Sequence, residues 1–66
     1  MNILVNGEKT CVESALTLQA LIDSLDMEGT RYAVEVNEVL IPRSQHANHA
    51  LQEDDAVEIV QAIGGG

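Results

Sequence analysis

Hydrophobic and polar positions at the start of the chain predict a β-hairpin. Residues 3–5 form an apolar run that ends at Asn6-Gly7. This dipeptide between two extended runs favours a tight hairpin turn, because both residues tolerate a positive φ angle. We therefore expect a first strand over residues 2–6 and a return strand over residues 8–13.

The spacing of the apolar residues then changes to that of a helix. Thr17 suits the N-cap position, with Ser14 as the alternative, and Gly29 suits the helix exit. The pattern predicts one helix of about ten residues, because apolar residues recur at i, i+3, i+4 and i+7. These residues are Leu18, Leu21, Ile22 and Leu25.

After the predicted helix the chain returns to alternation. Residues 33–37 alternate cleanly, which predicts a half-buried strand followed by a turn at Asn37-Glu38. Residues 39–41 predict a short strand that ends at Pro42, because proline cannot donate a hydrogen bond to a sheet.

The last part of the chain is polar first and apolar afterwards. Residues 44–50 predict an irregular helical turn, and residues 57–63 predict the final strand. Within this strand we expect Val57 and Ile59 to face inward and Glu58 to face outward, because successive strand residues point to opposite faces.

These elements predict an α+β fold with the order β-β-α-β-β-β. We expect a mixed sheet of four to five strands with one main helix packed on one face. The other face is then open, and Leu4 and Val60 should lie on it, because they alternate with the core residues of their strands. An exposed apolar patch commonly marks a partner site, whereas single exposed aliphatic residues are ordinary. We take both residues as candidate docking residues.

Size and charge restrict the class of partner. The 66 residues suit a single domain, which we place at residues 1–63. Eleven acidic residues against three basic ones give a net charge of −8. This balance argues against nucleic acid, because phosphates need a basic surface and bases need aromatic rings, of which Tyr32 is the only one. The charge suits a basic docking surface on an enzyme, or it serves solubility alone.

Cys11 is the only cysteine, so no internal disulfide can form and a reduced, intracellular protein is expected. We expect Cys11 to be a small buried or half-buried strand residue and not a redox group. The sequence shows no signal-peptide pattern and no long apolar stretch, which predicts a cytoplasmic protein that does not bind a membrane.

The remaining polar residues do not predict a catalytic or metal site. His46 and His49 precede the acidic residues 53–55, but two histidines in a polar loop are expected to be solvated. The acidic run is expected to be a solvated turn. Arg43 could contact a partner or cap its loop, and the sequence leaves both roles open. No nucleophile–base arrangement or phosphate-binding loop is evident.

The chain ends in Gly64, Gly65 and Gly66, for which we expect a flexible tail. Glycine has no side chain to pack and loses much conformational entropy when it is ordered. An extended chain from Ala62 to Gly66 would reach about 17 Å and could enter a narrow channel in another protein. The last carboxylate would then be open to attack. A frayed end or an expression remnant is the alternative that a glycine run alone leaves open.

These patterns together resemble one family, the ubiquitin-like β-grasp sulfur carriers, and most of all the ThiS-type carriers of thiamine biosynthesis. One departure is Asp54, which stands where the family often has glycine, although aspartate tolerates left-handed backbone geometry. The resemblance covers the whole chain and rests on residues 3–7, 17–18, 36–37, 41–43, 53–59 and the terminal glycines.

The resemblance implies a defined chemistry at Gly66. A ThiF-type adenylyltransferase would use ATP and magnesium to convert the Gly66 carboxylate to an acyl-adenylate, and a persulfide donor would then convert it to a thiocarboxylate. A ThiG-type thiazole synthase would accept the sulfur for the thiamine thiazole ring. Gly64 and Gly65 would occupy the partner's channel, while Leu4 and Val60 would dock. The chain itself would bind no cofactor and would be a co-substrate, not an enzyme.

Two alternatives to this function are retained. The chain could carry sulfur for molybdopterin or for another pathway, because related carriers share the glycine tail. It could also be a β-grasp interaction module whose glycine end takes part in no reaction.

Overall fold

The computed structural model describes residues 1–27 and 29–61, and it confirms the predicted β-β-α-β-β-β order. The predicted tail, residues 64–66, and the end of the predicted last strand lie outside the described residues. The elements are β1 (Asn2–Val5), β2 (Glu8–Cys11), α1 (Leu18–Ser24), β3 (Tyr32–Val36), β4 (Val39–Leu40), a 3₁₀ segment (Arg43–Asn48) and β5 (Ala56–Gln61).

The two predicted tight turns both form. Asn6 and Gly7 have φ angles of 51° and 85°, and they join β1 directly to β2. Asn37 and Glu38 repeat this geometry between β3 and β4, with φ angles of 52° and 70°. Positive φ at both central positions matches the twist of the flanking strands, which explains why each turn fixes its register.

The five strands form one mixed sheet in the order β2-β1-β5-β3-β4. β1 and β5 are parallel at the centre, whereas every other neighbouring pair is antiparallel. β2 ends at Cys11 and not at the predicted residue 13, so the return strand is two residues shorter than expected. Because β1 pairs with β5, the first and last strands of the chain lie side by side, and the end of β5 lies beside the first hairpin.

Helix α1 begins where the sequence predicts and ends earlier. The Thr17 Oγ1 accepts a hydrogen bond of 3.1 Å from the Ala20 N–H, which confirms Thr17 as the N-cap. The helix has seven residues instead of about ten, and Asp26 takes a left-handed φ of 56° just beyond it, before Gly29 is reached. Leu25, the last of the four apolar residues at helical spacing, is therefore not a core residue. It caps the helix and is 42% exposed.

The core lies between α1 and one face of the sheet, which we call the covered face. Alternate strand residues point into it, and the loop after β4 closes one end. Burial of this apolar surface is the main source of stability in a domain of this size. The buried hydrophobic residues are Ile3, Leu18, Leu21, Ile22, Val34, Val36, Ile41, Leu51 and Val57.

The other face of the sheet carries no helix among the described elements, and we call it the open face. Strand register assigns its members, because directly opposed residues share a face. Leu4 lies beside Ala56, Glu58 lies opposite Glu35, and Ala33 lies opposite Val60. On the neighbouring edge strands, Lys9, Cys11 and Leu40 have the same assignment.

Candidate functional site

Strand β5 leads into the terminal glycines and is held along most of its length. It pairs with β3 from Val57 to Gln61, but it pairs with β1 only at Ala56 and Val57. Beyond that point the Asn6 Oδ1 accepts a hydrogen bond of 2.7 Å from the Ile59 N–H and so replaces the missing strand partner. Strand pairing therefore holds the backbone as far as Gln61, which lies five residues before Gly66.

The predicted acidic turn before β5 forms, and its polar groups hold backbone. The Asp55 Oδ2 accepts a hydrogen bond of 2.8 Å from the Gln52 N–H, and both Glu53 carboxylate oxygens lie 3.2 Å from the Asn2 N–H. Asp54 has a φ of 68°, which confirms the left-handed geometry expected where the family often has glycine. These contacts support a structural turn and not an acid/base pair.

Asn37 is a residue whose importance sequence reasoning missed. Its Oδ1 accepts a hydrogen bond of 3.0 Å from the Ala56 N–H, and its Nδ2 donates one of 2.9 Å to the Asp55 Oδ1. The side chain thus ties the β3–β4 turn to the start of β5. The only local signal was the choice of asparagine at a left-handed position, which predicts a turn but not this partner.

The predicted docking residues are exposed, as expected, but they do not form one continuous patch. Leu4 is 39% exposed and Val60 is 59% exposed. Leu4 lies beside Ala56, which is four residues from Val60 along β5, or about 13 Å of extended strand. Glu58 and its opposite neighbour Glu35 lie between them. The open face is therefore apolar at two ends and acidic in the middle.

Cys11 is exposed, which corrects the expectation of a buried or half-buried residue. It lies opposite Asn2 at the end of β2, so its side chain belongs to the open face. β2 is also an outer strand of the sheet, and no other described strand lies beyond it. The alternation pattern gave the face, but it could not show that this position lies at the sheet edge.

His46 is only 2% exposed, which corrects the prediction that both histidines are solvated, whereas His49 is half-buried. The His46 Nε2 lies 3.0 Å from the Ile41 carbonyl oxygen. Nε2 is therefore the protonated nitrogen, because a carbonyl oxygen can only accept a hydrogen bond. Its Nδ1 has no partner among the described residues. The ring stacks on Tyr32 with centroids 6.4 Å apart.

Arg43 has an intramolecular role. Its guanidinium carbon lies 4.6 Å from the Tyr32 ring centroid, which is a cation–π distance. Tyr32 therefore contacts both His46 and Arg43, and these contacts fix the 3₁₀ segment against β3. The segment packs on α1 as well, because the Leu18 N–H donates to the His49 carbonyl oxygen at 2.8 Å.

No group of three or more histidine, cysteine, aspartate or glutamate side chains within residues 1–27 and 29–61 is placed to hold a metal ion. Over the same residues, no helix has the length and apolar character needed to cross a membrane.

Comparison with known proteins gives a consistent family. A family model described as the ThiS family matches residues 2–66, which includes the terminal glycines. The sulfur carrier protein ThiS of Escherichia coli is 32% identical over 66 residues, which is the full length of both chains. The crystal structure of the thiamine biosynthesis protein ThiS from Geobacter metallireducens superposes with a TM-score of 0.82 at 30% identity and full coverage of both chains.

Longer relatives also contain a matching segment. The thiazole synthase of Paramagnetospirillum magneticum is 36% identical over 66 residues, and that of Magnetococcus marinus is 39% identical over the same length. In both cases the match covers all of this chain but only 20% of the relative. The chain therefore spans about a fifth of the length of these thiazole synthases.

Proposed function

This chain belongs to the ThiS family, and on that basis we propose that it is a sulfur carrier of thiamine biosynthesis that bears the sulfur on its C-terminal glycine. The observation that carries the proposal is the family match through residue 66, because it includes the terminal glycines as well as the folded body.

The chemistry begins at the Gly66 carboxylate, which is ionised at neutral pH and a poor electrophile. A partner adenylyltransferase uses ATP with magnesium to form an acyl-adenylate and release pyrophosphate. Sulfur from a persulfide donor displaces AMP, and a thiol then cleaves the new sulfur–sulfur bond to leave the thiocarboxylate. The described side chains take no part in bond making, so the chain is a co-substrate of its partners.

The fold supports this role by separating the body from the reacting end. The pairing of β5 with β3 and the Asn6 contact to Ile59 fix the strand that precedes the glycines. Of the four residues between this strand and Gly66, the last two, Gly64 and Gly65, have no side chains. A partner that docks on the folded body can therefore receive Gly66 in a narrow channel.

The open face is the docking surface that we propose for these partners. Leu4 and Val60 would enter apolar depressions of the partner, and the acidic pair Glu35 and Glu58 between them would meet a basic group. Charge complementarity of this kind speeds association and selects partners. The matching segment within two thiazole synthases supports thiazole synthase as one partner. The adenylyltransferase is the other.

Intact-mass measurement tests the chemistry. The chain is incubated with the cognate adenylyltransferase, ATP, magnesium and a persulfide sulfur source. We expect a mass increase equal to the replacement of one oxygen by sulfur, localised to Gly66 by fragmentation. A mass that stays constant with an adenylyltransferase active on its own carrier would contradict the proposal.

Deletion of Gly66 provides the matched control. The residue follows the described strand, so the deletion variant should keep the melting temperature of the parent chain and gain no mass. The deletion leaves a terminal carboxylate on Gly65. A deletion variant that acquires sulfur as readily as the parent chain, or that restores growth of a thiamine auxotroph lacking the carrier, would show that the reaction does not require Gly66 itself.

A further inference from the structure

The outer edge of β2 carries backbone N–H and C=O groups to which no described residue forms a hydrogen bond. Met1 and Val12 exchange both backbone hydrogen bonds, at 2.7 and 2.8 Å. Hydrogen-bonded and non-hydrogen-bonded pairs alternate along an antiparallel ladder, so Lys9 and Cys11 direct their N–H and C=O groups away from β1. No group of the described residues bonds to these four atoms. They form a short row that can accept another strand.

An apolar groove lies beside this edge, between β2 and α1. We call it the edge groove, and its volume is about 850 Å³. Half-buried Val5, Val12 and Leu16 line it together with Leu25, which is 42% exposed. These side chains belong to the covered side of the sheet, so the edge groove opens on that side, although Cys11 of the open face also lines it.

We propose that β2 and the edge groove form a second docking site, which binds an extended segment of another protein as an added strand. The backbone of the segment would pair with Lys9 and Cys11. Every second side chain would then point toward α1 and fill the groove, because strand residues alternate between the two faces. The segment therefore carries aliphatic residues at alternate positions.

Charge determines which kind of segment is bound. Glu8 and Glu13 line the edge groove, and the whole chain has a net charge of −8. A second copy of the chain would bring the same negative charge to this edge, which disfavours self-pairing. A segment with lysine or arginine beside its aliphatic residues is complementary to the groove. Binding there leaves the open face accessible, so the two sites can be occupied together.

A peptide titration tests the proposal. The ¹⁵N-labelled full chain is titrated with acetyl-Lys-Val-Thr-Val-Thr-Lys-amide, which has valines at alternate positions and basic ends. We expect amide shift changes in residues 8–13 and 16–25 and slowed hydrogen exchange at the Lys9 and Cys11 amides. No binding, or shift changes restricted to the open face, would overturn the proposal.

Two control peptides separate the contributions of backbone and charge. Replacing the peptide lysines with glutamates should weaken binding about fivefold, because attraction becomes repulsion at exposed sites. Replacing the threonine between the two valines with proline should weaken peptide binding about tenfold or more, because a strand hydrogen bond is lost. Equal affinity for all three peptides would contradict an added strand.

Variants of the chain locate the site. Cys11→Pro removes an outward N–H and leaves the bonds to β1 in place, and Leu25→Glu puts a charge in the groove at an exposed position. Each should weaken peptide binding about tenfold, whereas Val39→Glu on the opposite edge strand should not.

Unchanged affinity in the folded Leu25→Glu variant would overturn the proposal. So would a concentration-dependent dimer of the parent chain that Cys11→Pro abolishes, because the occupant would then be a second copy. Neither outcome bears on the sulfur chemistry of Gly66.

Discussion

The two faces of the sheet are built from the same strands and differ in burial. On the covered face Ile3, Val34 and Val57 are each 1% exposed, whereas on the open face Leu4 and Val60 are 39% and 59% exposed. A shift of one residue along a strand moves a side chain from one face to the other. The difference shows that buried and exposed side chains alternate along each strand, so substitutions should separate the stability of the fold from the docking that we propose for the open face.

The largest effect on stability is expected from Leu18→Ala. Leu18 is completely buried between α1 and the covered face, so its truncation should cost about 2–5 kcal/mol. A domain of this size has a total free energy of unfolding of only about 3–10 kcal/mol. Urea denaturation measures the loss. Val60→Ala on the open face is the control and should change stability by less than about 0.5 kcal/mol. Similar losses in both variants would remove the distinction between the faces.

A smaller effect is expected from Thr17→Ala, which tests the helix that covers the face. The Thr17 Oγ1 accepts the Ala20 N–H, so its removal should cost about 1 kcal/mol. Thr17→Ser keeps the oxygen and should restore most of the loss in thermal or urea unfolding. If Ser14→Ala were the more destabilising change, Ser14 and not Thr17 would be the N-cap.

The architecture could be predicted because it depends on local periodicity. Alternation gave the strands and their faces, the 3.6-residue spacing gave the helix, and Asn6-Gly7 gave the first turn. Exposure of Leu4 and Val60 followed from the same alternation. Leu25 also fitted the helical spacing, but the helix ends at Ser24. Asp26, just after Leu25, takes a left-handed conformation. The spacing of side chains carries no information on where the backbone leaves the helix.

The misjudged residues depend on contacts between distant parts of the chain. His46 lies in a polar run, yet it is buried by Tyr32, which is 14 residues away in sequence and stacks on its ring. Cys11 was assigned to the correct kind of element, but its exposure follows from the position of β2 at the sheet edge. The split of the open face by Glu35 and Glu58 required the register of two strands, which the sequence did not provide.

Removal of one charge from the centre of the open face should stabilise the fold. Glu58 lies opposite Glu35, where their Cβ atoms are about 5 Å apart and like charges repel. Glu58→Gln should therefore raise the free energy of unfolding by about 0.2–1 kcal/mol at low salt, and by less at high salt. Glu8→Gln is the control, because Glu8 lies opposite Val5 and should show no such gain. A loss of stability in Glu58→Gln would mean that this carboxylate supports the fold.

The smallest effect on stability and a clear effect on docking are expected from Leu4→Glu. Leu4 is exposed and lies opposite Lys9, so the new carboxylate meets water and a positive charge, and the melting temperature should stay nearly constant. Loss of an apolar docking contact should raise the KM of the adenylyltransferase for the chain about tenfold.

Leu25→Glu is the matched control, because Leu25 has a similar exposure of 42% but lies on the helix side. It should leave this KM unchanged while weakening the peptide at the edge groove. If both variants raised this KM equally, the adenylyltransferase would not bind the open face in preference to the helix side. Unfolding of Leu4→Glu would place Leu4 in the core and end the comparison of the two faces.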